Sequence, residues 1–106
     1  MNDFRVTITD KAMADMAAIY EYIAAELHAP DNAMRQYDRI ANEIEALNLF
    51  PYRNKLFDSQ PEHDLGFRRL LVDNYSVIYI VEDDTVTVIR VLYSSSDIIA
   101  RLRDGI

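Results

Sequence analysis

The residues of this chain best placed to do chemistry are three arginines set inside alternating apolar and polar sequence. Arg68, Arg69 and Arg90 fall within residues 66–97, which alternate, turn at Glu82-Asp83-Asp84, and alternate again. A guanidinium stays charged and presents a fork of donors that matches a carboxylate or a phosphate. Arg68 and Arg69 are neighbours, so on a strand they point to opposite faces. One can serve a phosphate while the other pairs with an acid such as Asp73 or Glu82. Arg90 shares an alternating face with Val86, Val88 and Leu92. A cation buried there needs a partner, so it is either half of a structural ion pair or part of a site. Tyr93 closes the run; in a chain with seven tyrosines its default role is packing. Tyr75 and Tyr79 read as packing residues with a hydroxyl at the rim. Arg53 and Lys55 sit in an irregular stretch, where they are either anion contacts or solvated loop charges. His28 and His63 fall in expected loops with no partner at metal-ligand spacing, and read as surface residues.

The bulk composition narrows the surroundings of these residues. With 106 residues the chain suits a single domain, 1–106, with one modest core. Half of the residues are apolar, which argues against disorder. No apolar run approaches the roughly 20 residues of a membrane-spanning helix. Residues 1–10 lack the basic-then-apolar layout of a signal peptide. The absence of cysteine excludes disulfides and thiolate metal sites. These features together point to a soluble cytoplasmic protein. The net charge of −7 disfavours general attraction to nucleic acid. The acid excess is concentrated in residues 1–50, with nine acids against four bases; the remainder has nine against seven. A local basic patch is therefore possible in the second half.

Periodicity supplies the elements that must position the arginines. Phe4, Val6 and Ile8 alternate as a short strand. Thr9 or Asp10 can cap a helix over about residues 10–27, marked by Met13, Met16, Ile19, Tyr20, Ile23 and Leu27. Pro30 and Asp31 suit the first turn of a second helix, with Ala33, Tyr37, Ile40, Ile44 and Leu47 as its apolar stripe. That helix should end near residues 47–50, and the pair should form an antiparallel hairpin. Residues 51–65 read as a loop closed by Gly66. Strands follow over 68–72, 75–81 and 85–93, and Asp97 can cap a short helix over 98–103. Both later strands are apolar on two faces, as a sheet covered by the helix pair and partly apolar behind would be.

The helix segment I-Y-E-Y-I-A (residues 19–24), Phe50-Pro51, and the blocks G-F-R-R-L-L-V-D-N-Y-S-V-I-Y and V-I-R-V-L-Y resemble the RelE/ParE toxin superfamily of type II toxin–antitoxin systems. The likeness covers nearly the whole chain. It implies an α+β fold in the order β-α-α-β-β-β-α: an antiparallel four-stranded sheet packed against an N-terminal helical hairpin. It implies a cognate antitoxin as partner in a hetero-oligomer, and no cofactor. In the RelE-like branch the toxin is a metal-independent endoribonuclease that cuts messenger RNA in the ribosomal A site. In the ParE-like branch it poisons DNA gyrase by binding. The RelE-like pattern maps onto Arg53 and Lys55 in the loop, Arg68 or Arg69, Arg90, and Tyr93.

One departure bears on the choice. Many relatives carry basic residues just after the position of Tyr93, where this chain has Ser94-Ser95-Ser96. Ser95 and Ser96 can hydrogen-bond a phosphate but cannot neutralise it. The thinned cationic complement favours the ParE-like branch. The alternatives are the RelE-like nuclease and a non-toxic family member acting as a binding module.

Overall fold

The computed structural model describes residues 3–104, so the first two residues of the N-terminal stretch lie outside it. Strand β1 (Arg5–Ile8) leads into helix α1 (Asp10–Glu21), one π-helical turn (Tyr22–Glu26) and helix α2 (Pro30–Glu45). After the loop come β2 (Arg68–Val72), β3 (Tyr75–Glu82), β4 (Thr85–Tyr93) and helix α3 (Ile98–Asp104). The element order and the α+β architecture are as expected. Among the described residues no helix is long and apolar enough to cross a membrane.

One strand pairing departs from expectation. The sheet order is β1-β4-β3-β2, and β1 pairs with β4 in parallel, so the sheet is mixed rather than wholly antiparallel. The reason is the path of the hairpin. Helix α1 continues beyond the end of β1, and α2 brings the chain back to where β1 began, with Phe4 N donating to Asn48 O at 2.9 Å. Strand β2 then sets out in the direction of β1, and two tight turns later β4 does so too. Asp73 and Asp83 open those turns at φ 54°. Aspartate tolerates this left-handed region better than most residues, which suits two-residue hairpin turns.

Thr9 starts α1 as expected, and it works in two directions. Its Oγ1 accepts from Ala12 N at 3.1 Å, and its hydroxyl donates to Ile89 O of β4 at 2.9 Å. The helix is thereby capped and fastened to the sheet in one step. Ala12, fully buried, faces β4 where Met13 had been expected; Met13 is exposed. The π-helical turn then shifts the phase of the stripe. Ile23 remains buried, but Leu27, its expected last member, is 55% exposed.

The core lies on both faces of the sheet. Val77, Tyr79, Val86, Val88 and Val91 pack with Met16, Ile40, Ile44 and Leu47 of the hairpin. Phe67, Ile78 and Leu92 pack behind the sheet against Ile98 and Leu102 of α3. Midway along β4, Tyr79 pairs with Val88 and Ile78 with Arg90, which leaves Ile89 as an extra residue in β4. This bulge reverses the alternation. Val91 therefore joins Val86 and Val88 on the hairpin face, while Arg90 does not, contrary to the alternation in the sequence.

Helix α3 is latched to the loop by a buried acid. Glu62 is 1% exposed. It accepts from Arg103 Nε at 3.0 Å, Arg103 Nη2 at 3.1 Å and Ser59 Oγ at 2.8 Å. The Arg103 hydrogen bonds pull the Glu62 carboxyl down from 4.5 to about 2, against the opposing effect of burial and with help from Ser59. A depressed carboxylate stabilises the fold above its unfolded pKa, and that contribution is lost as pH falls through the folded one. Urea unfolding at stepped pH should show stability declining from about pH 4.5 toward pH 2. Glu62→Gln should be less stable at neutral pH and show a shallower acid decline. An unchanged decline in that variant would remove Glu62 as its cause.

Candidate functional site

The expected site residues occupy different parts of the sheet. Arg68 lies opposite Tyr79 in the register, level with Val88 and the last residue of β1, whereas Tyr93 lies opposite Tyr75, four residues further along β3. Tyr75 and Tyr79 are four residues apart on β3, roughly 13 Å along the strand. Arg69 points to the opposite face from Arg68, as adjacent strand residues must, and donates from Nε to Ser76 Oγ at 2.9 Å. Ser76 in turn meets Ser94 Oγ at 2.8 Å. The acid expected beside one of these arginines is engaged elsewhere, because Asp73 is held by Arg39 Nε at 2.8 Å and Gln36 Nε2 at 3.1 Å.

Arg90 is the most constrained of the group. Its Nε and Nη2 donate to the two oxygens of Asp15 at 2.7 and 3.0 Å, and its Nη1 donates to Arg101 O at 3.3 Å. The Arg90 and Asp15 side chains are only 10% and 12% exposed. Asp15 also accepts from Val91 N at 3.0 Å. Strand β1 ends at Ile8, opposite Val88, so β4 continues past it with an open edge. The carboxylate supplies the acceptor that the missing strand would have supplied. Arg90 is charged and paired, with its guanidinium stabilised chiefly by the hydrogen bonds to Asp15.

Sequence reasoning overlooked Asp15, although a signal was present. It lies among Ala12, Met16 and Ile19, on the inward arc of α1. An acid on that arc needs a buried cation.

Beyond this pair a groove of about 990 Å³ opens between the end of α1, the start of α2, the start of β3 and the end of β4. Ile19, Ile23 and Leu27 form one wall; Tyr75, Val91 and Tyr93 form another. Burial raises the Tyr75 hydroxyl above its ordinary value, and the nearby Tyr93 and Tyr22 raise it further. Tyr75 and Tyr93 meet edge to face at 5.7 Å, and Tyr93 is 49% exposed rather than in the core. Arg35, Arg39 and Arg101 also border the groove. Tyr22 and Arg101 were not singled out from sequence, because the phase shift of the π-helical turn and the packing of α3 decide their direction; nor was Arg35, which lies near the start of α2.

The remaining expected residues lie outside the groove. Ser96 Oγ donates back to Tyr93 O, closing the turn before α3, and Ser95 is exposed beside it. Arg53 and Lys55 are exposed at the other end of the molecule; Lys55 stands 3.6 Å from Asp58 with both side chains almost fully solvated. Tyr79 has its hydroxyl buried rather than at the rim, donating to Pro51 O at 2.7 Å and accepting from Asn54 Nδ2 at 3.0 Å.

Residues 6–98 match the family model described as the ParE toxin of the type II toxin–antitoxin system parDE. No curated protein sequence matches. Among solved structures, the chromosomal ParDE toxin–antitoxin system of P. aeruginosa superposes with a TM-score of 0.71 at 22% identity, covering 85% of this chain and 95% of that one. The RelBE2 toxin–antitoxin complex of Mycobacterium tuberculosis gives 0.61 at 19% identity, covering 91% and 97%. The archaeal RelE–RelB complex of Pyrococcus horikoshii OT3 gives 0.61 at 14%, covering 88% and 97%. At these identities the structural likeness speaks to the fold.

Removing one partner of a buried pair leaves an uncompensated charge, so Asp15→Ala should cost about 3–5 kcal/mol in urea unfolding at neutral pH. A loss under about 1 kcal/mol would mean that the pair behaves like an exposed one.

Proposed function

The chain belongs to the ParE toxin family of type II toxin–antitoxin systems, and from that premise we propose a toxin that acts by binding DNA gyrase and is neutralised by a cognate antitoxin. The observation that carries the binding reading is the engagement of Arg90 by Asp15. Cleavage of RNA through its 2′-hydroxyl calls for a base, an acid and cations converging on one phosphate. Arg90 is committed to a carboxylate, Arg69 points away from Arg68, and Tyr93 stands at the far end of the sheet from both Arg68 and Lys55. The hydroxyls of Ser95 and Ser96 add no positive charge. Surfaces arranged this way suit recognition of a protein better than strand cleavage.

The antitoxin reading rests on the groove beside Tyr93. Its apolar walls accept the side chains of an extended or helical segment, and Arg35 and Arg101 at its border accept acids. Among the described residues Arg101 has no side-chain acceptor, whereas Arg90 is already held by Asp15. The solved toxin–antitoxin complexes that share the fold support a partner of this kind. The longest extent of the molecule is 41 Å, so an antitoxin seated at one end also crowds a target that encloses the other.

Purified protein should inhibit gyrase supercoiling in proportion to dose and leave ribosome-bound messages uncut in toeprinting. Toeprints showing A-site cuts, with gyrase unaffected at large molar excess, would overturn this assignment in favour of the RelE-like nuclease.

A further inference from the structure

Phe50 stands out among the described residues for both its backbone and its exposure. Its φ is 54°, and its surface is 66% accessible. A bulky residue in the left-handed region is a conformational outlier. Such strain persists only where the surroundings over-determine the backbone, and it gathers at ligand clamps. Here the clamp is visible. The buried Tyr79 hydroxyl holds Pro51 O and the Asn54 side chain. Arg68 Nη1 donates to Asn54 O at 2.6 Å and to Tyr52 O at 3.4 Å, and the guanidinium lies 5.0 Å from the centre of the Tyr52 ring. Phe4 meets the Tyr52 ring edge to face at 6.0 Å. The loop after α2 is thus held in one shape from two sides, with Phe50 projecting from it.

We propose that residues 49–55 form the surface that grips the protein target, with Phe50 seated in an apolar pocket rimmed by carboxylates. The proposal rests on the reading of the chain as a toxin that acts by protein binding. Two features argue for this occupant. First, Leu49, Phe50 and Tyr52 are exposed together, at 41%, 66% and 55%, on a loop whose ordering is already complete before binding. Rigid aromatic and arginine side chains are the usual energetic anchors of interfaces, and prior ordering lowers the cost of association. Second, residues 46–57 contain no acid, yet include Arg53 and Lys55, in a chain of net charge −7. The projecting ring thus has two cations within five residues, Arg53 and Lys55, which an acidic rim would match, and Lys55 also stands 3.6 Å from Asp58. Single-stranded nucleic acid also favours aromatic residues among cations. It needs a row of open ring faces, however, and one face of the Tyr52 ring is already taken by Arg68, leaving Phe50 as the projecting plug. This surface lies at the opposite end of the sheet from the groove assigned to the antitoxin.

Phe50→Gly separates anchoring from folding, because glycine takes φ 54° without strain. The full-length variant should melt at the wild-type temperature or higher, retain binding to the antitoxin, and need about tenfold more protein or greater to inhibit gyrase supercoiling. Arg53→Glu with Lys55→Glu should weaken inhibition as well and reduce its sensitivity to salt. Undiminished inhibition by Phe50→Gly, with wild type active, overturns this surface while leaving gyrase as the target. Loss of ribosome-dependent message cutting in the same variant, with gyrase untouched by wild type, assigns the loop to RNA and overturns both readings. Wild type inactive in both assays also overturns both.

Discussion

The pairing of Asp15 with Arg90 is the interaction on which the groove end of the molecule depends. Strand β1 is four residues long and β4 nine, so β4 runs on alone past Ile8. An uncovered strand edge carries unpaired backbone groups. Asp15 satisfies the Val91 N–H and binds the Arg90 guanidinium with the same carboxylate. The bulge at Ile89 makes this possible by turning Arg90 off the hairpin face, where Val88 and Val91 pack. Helix α1 is thereby fixed against β4 at two points, Thr9 and Asp15, and its last turns continue beyond the sheet as one wall of the groove.

This arrangement divides the molecule by chemistry. One end holds an apolar groove with hydroxyls and arginines at its border. The other holds a clamped, strained loop with an aromatic tip and positive charge. A shared fold does not fix activity, since function lies in the sites carried on it. Here the guanidinium that a nuclease would direct at a phosphate is used to close a sheet edge. Tyr79 and Arg68, likewise, are used to shape the loop after α2. The same residue types that suggest catalysis in the sequence serve as fasteners, and the exposed groups that remain suit contacts with other proteins.

Much of the architecture was legible because it depends on local rules. The stripe from Ala33 to Leu47 fixed α2, the alternation fixed four strands, and Thr9 behaved as a cap. The parts that were not legible depend on events one residue long. The extra residue at Ile89 changes the face on which Arg90 lies. The π-helical turn moves Leu27 from the core to the groove, and an alanine takes the buried place expected of Met13. None of these leaves a clear periodic trace. Asp15 did leave one, as an acid on an inward arc with a cation due opposite it. The direction of β1 in the sheet could not be read either, because it depends on where a two-helix crossover returns the chain.

The division of the molecule into two recognition ends is the central claim, and hydrogen–deuterium exchange tests it most directly. The protein would be compared alone, bound to its co-purified antitoxin, and bound to purified gyrase. Two separate footprints are expected: protection over the end of α1 and around Tyr93 with antitoxin, and over residues 49–55 with gyrase. A gyrase footprint confined to the groove, with residues 49–55 exchanging as in the free protein, would contradict it.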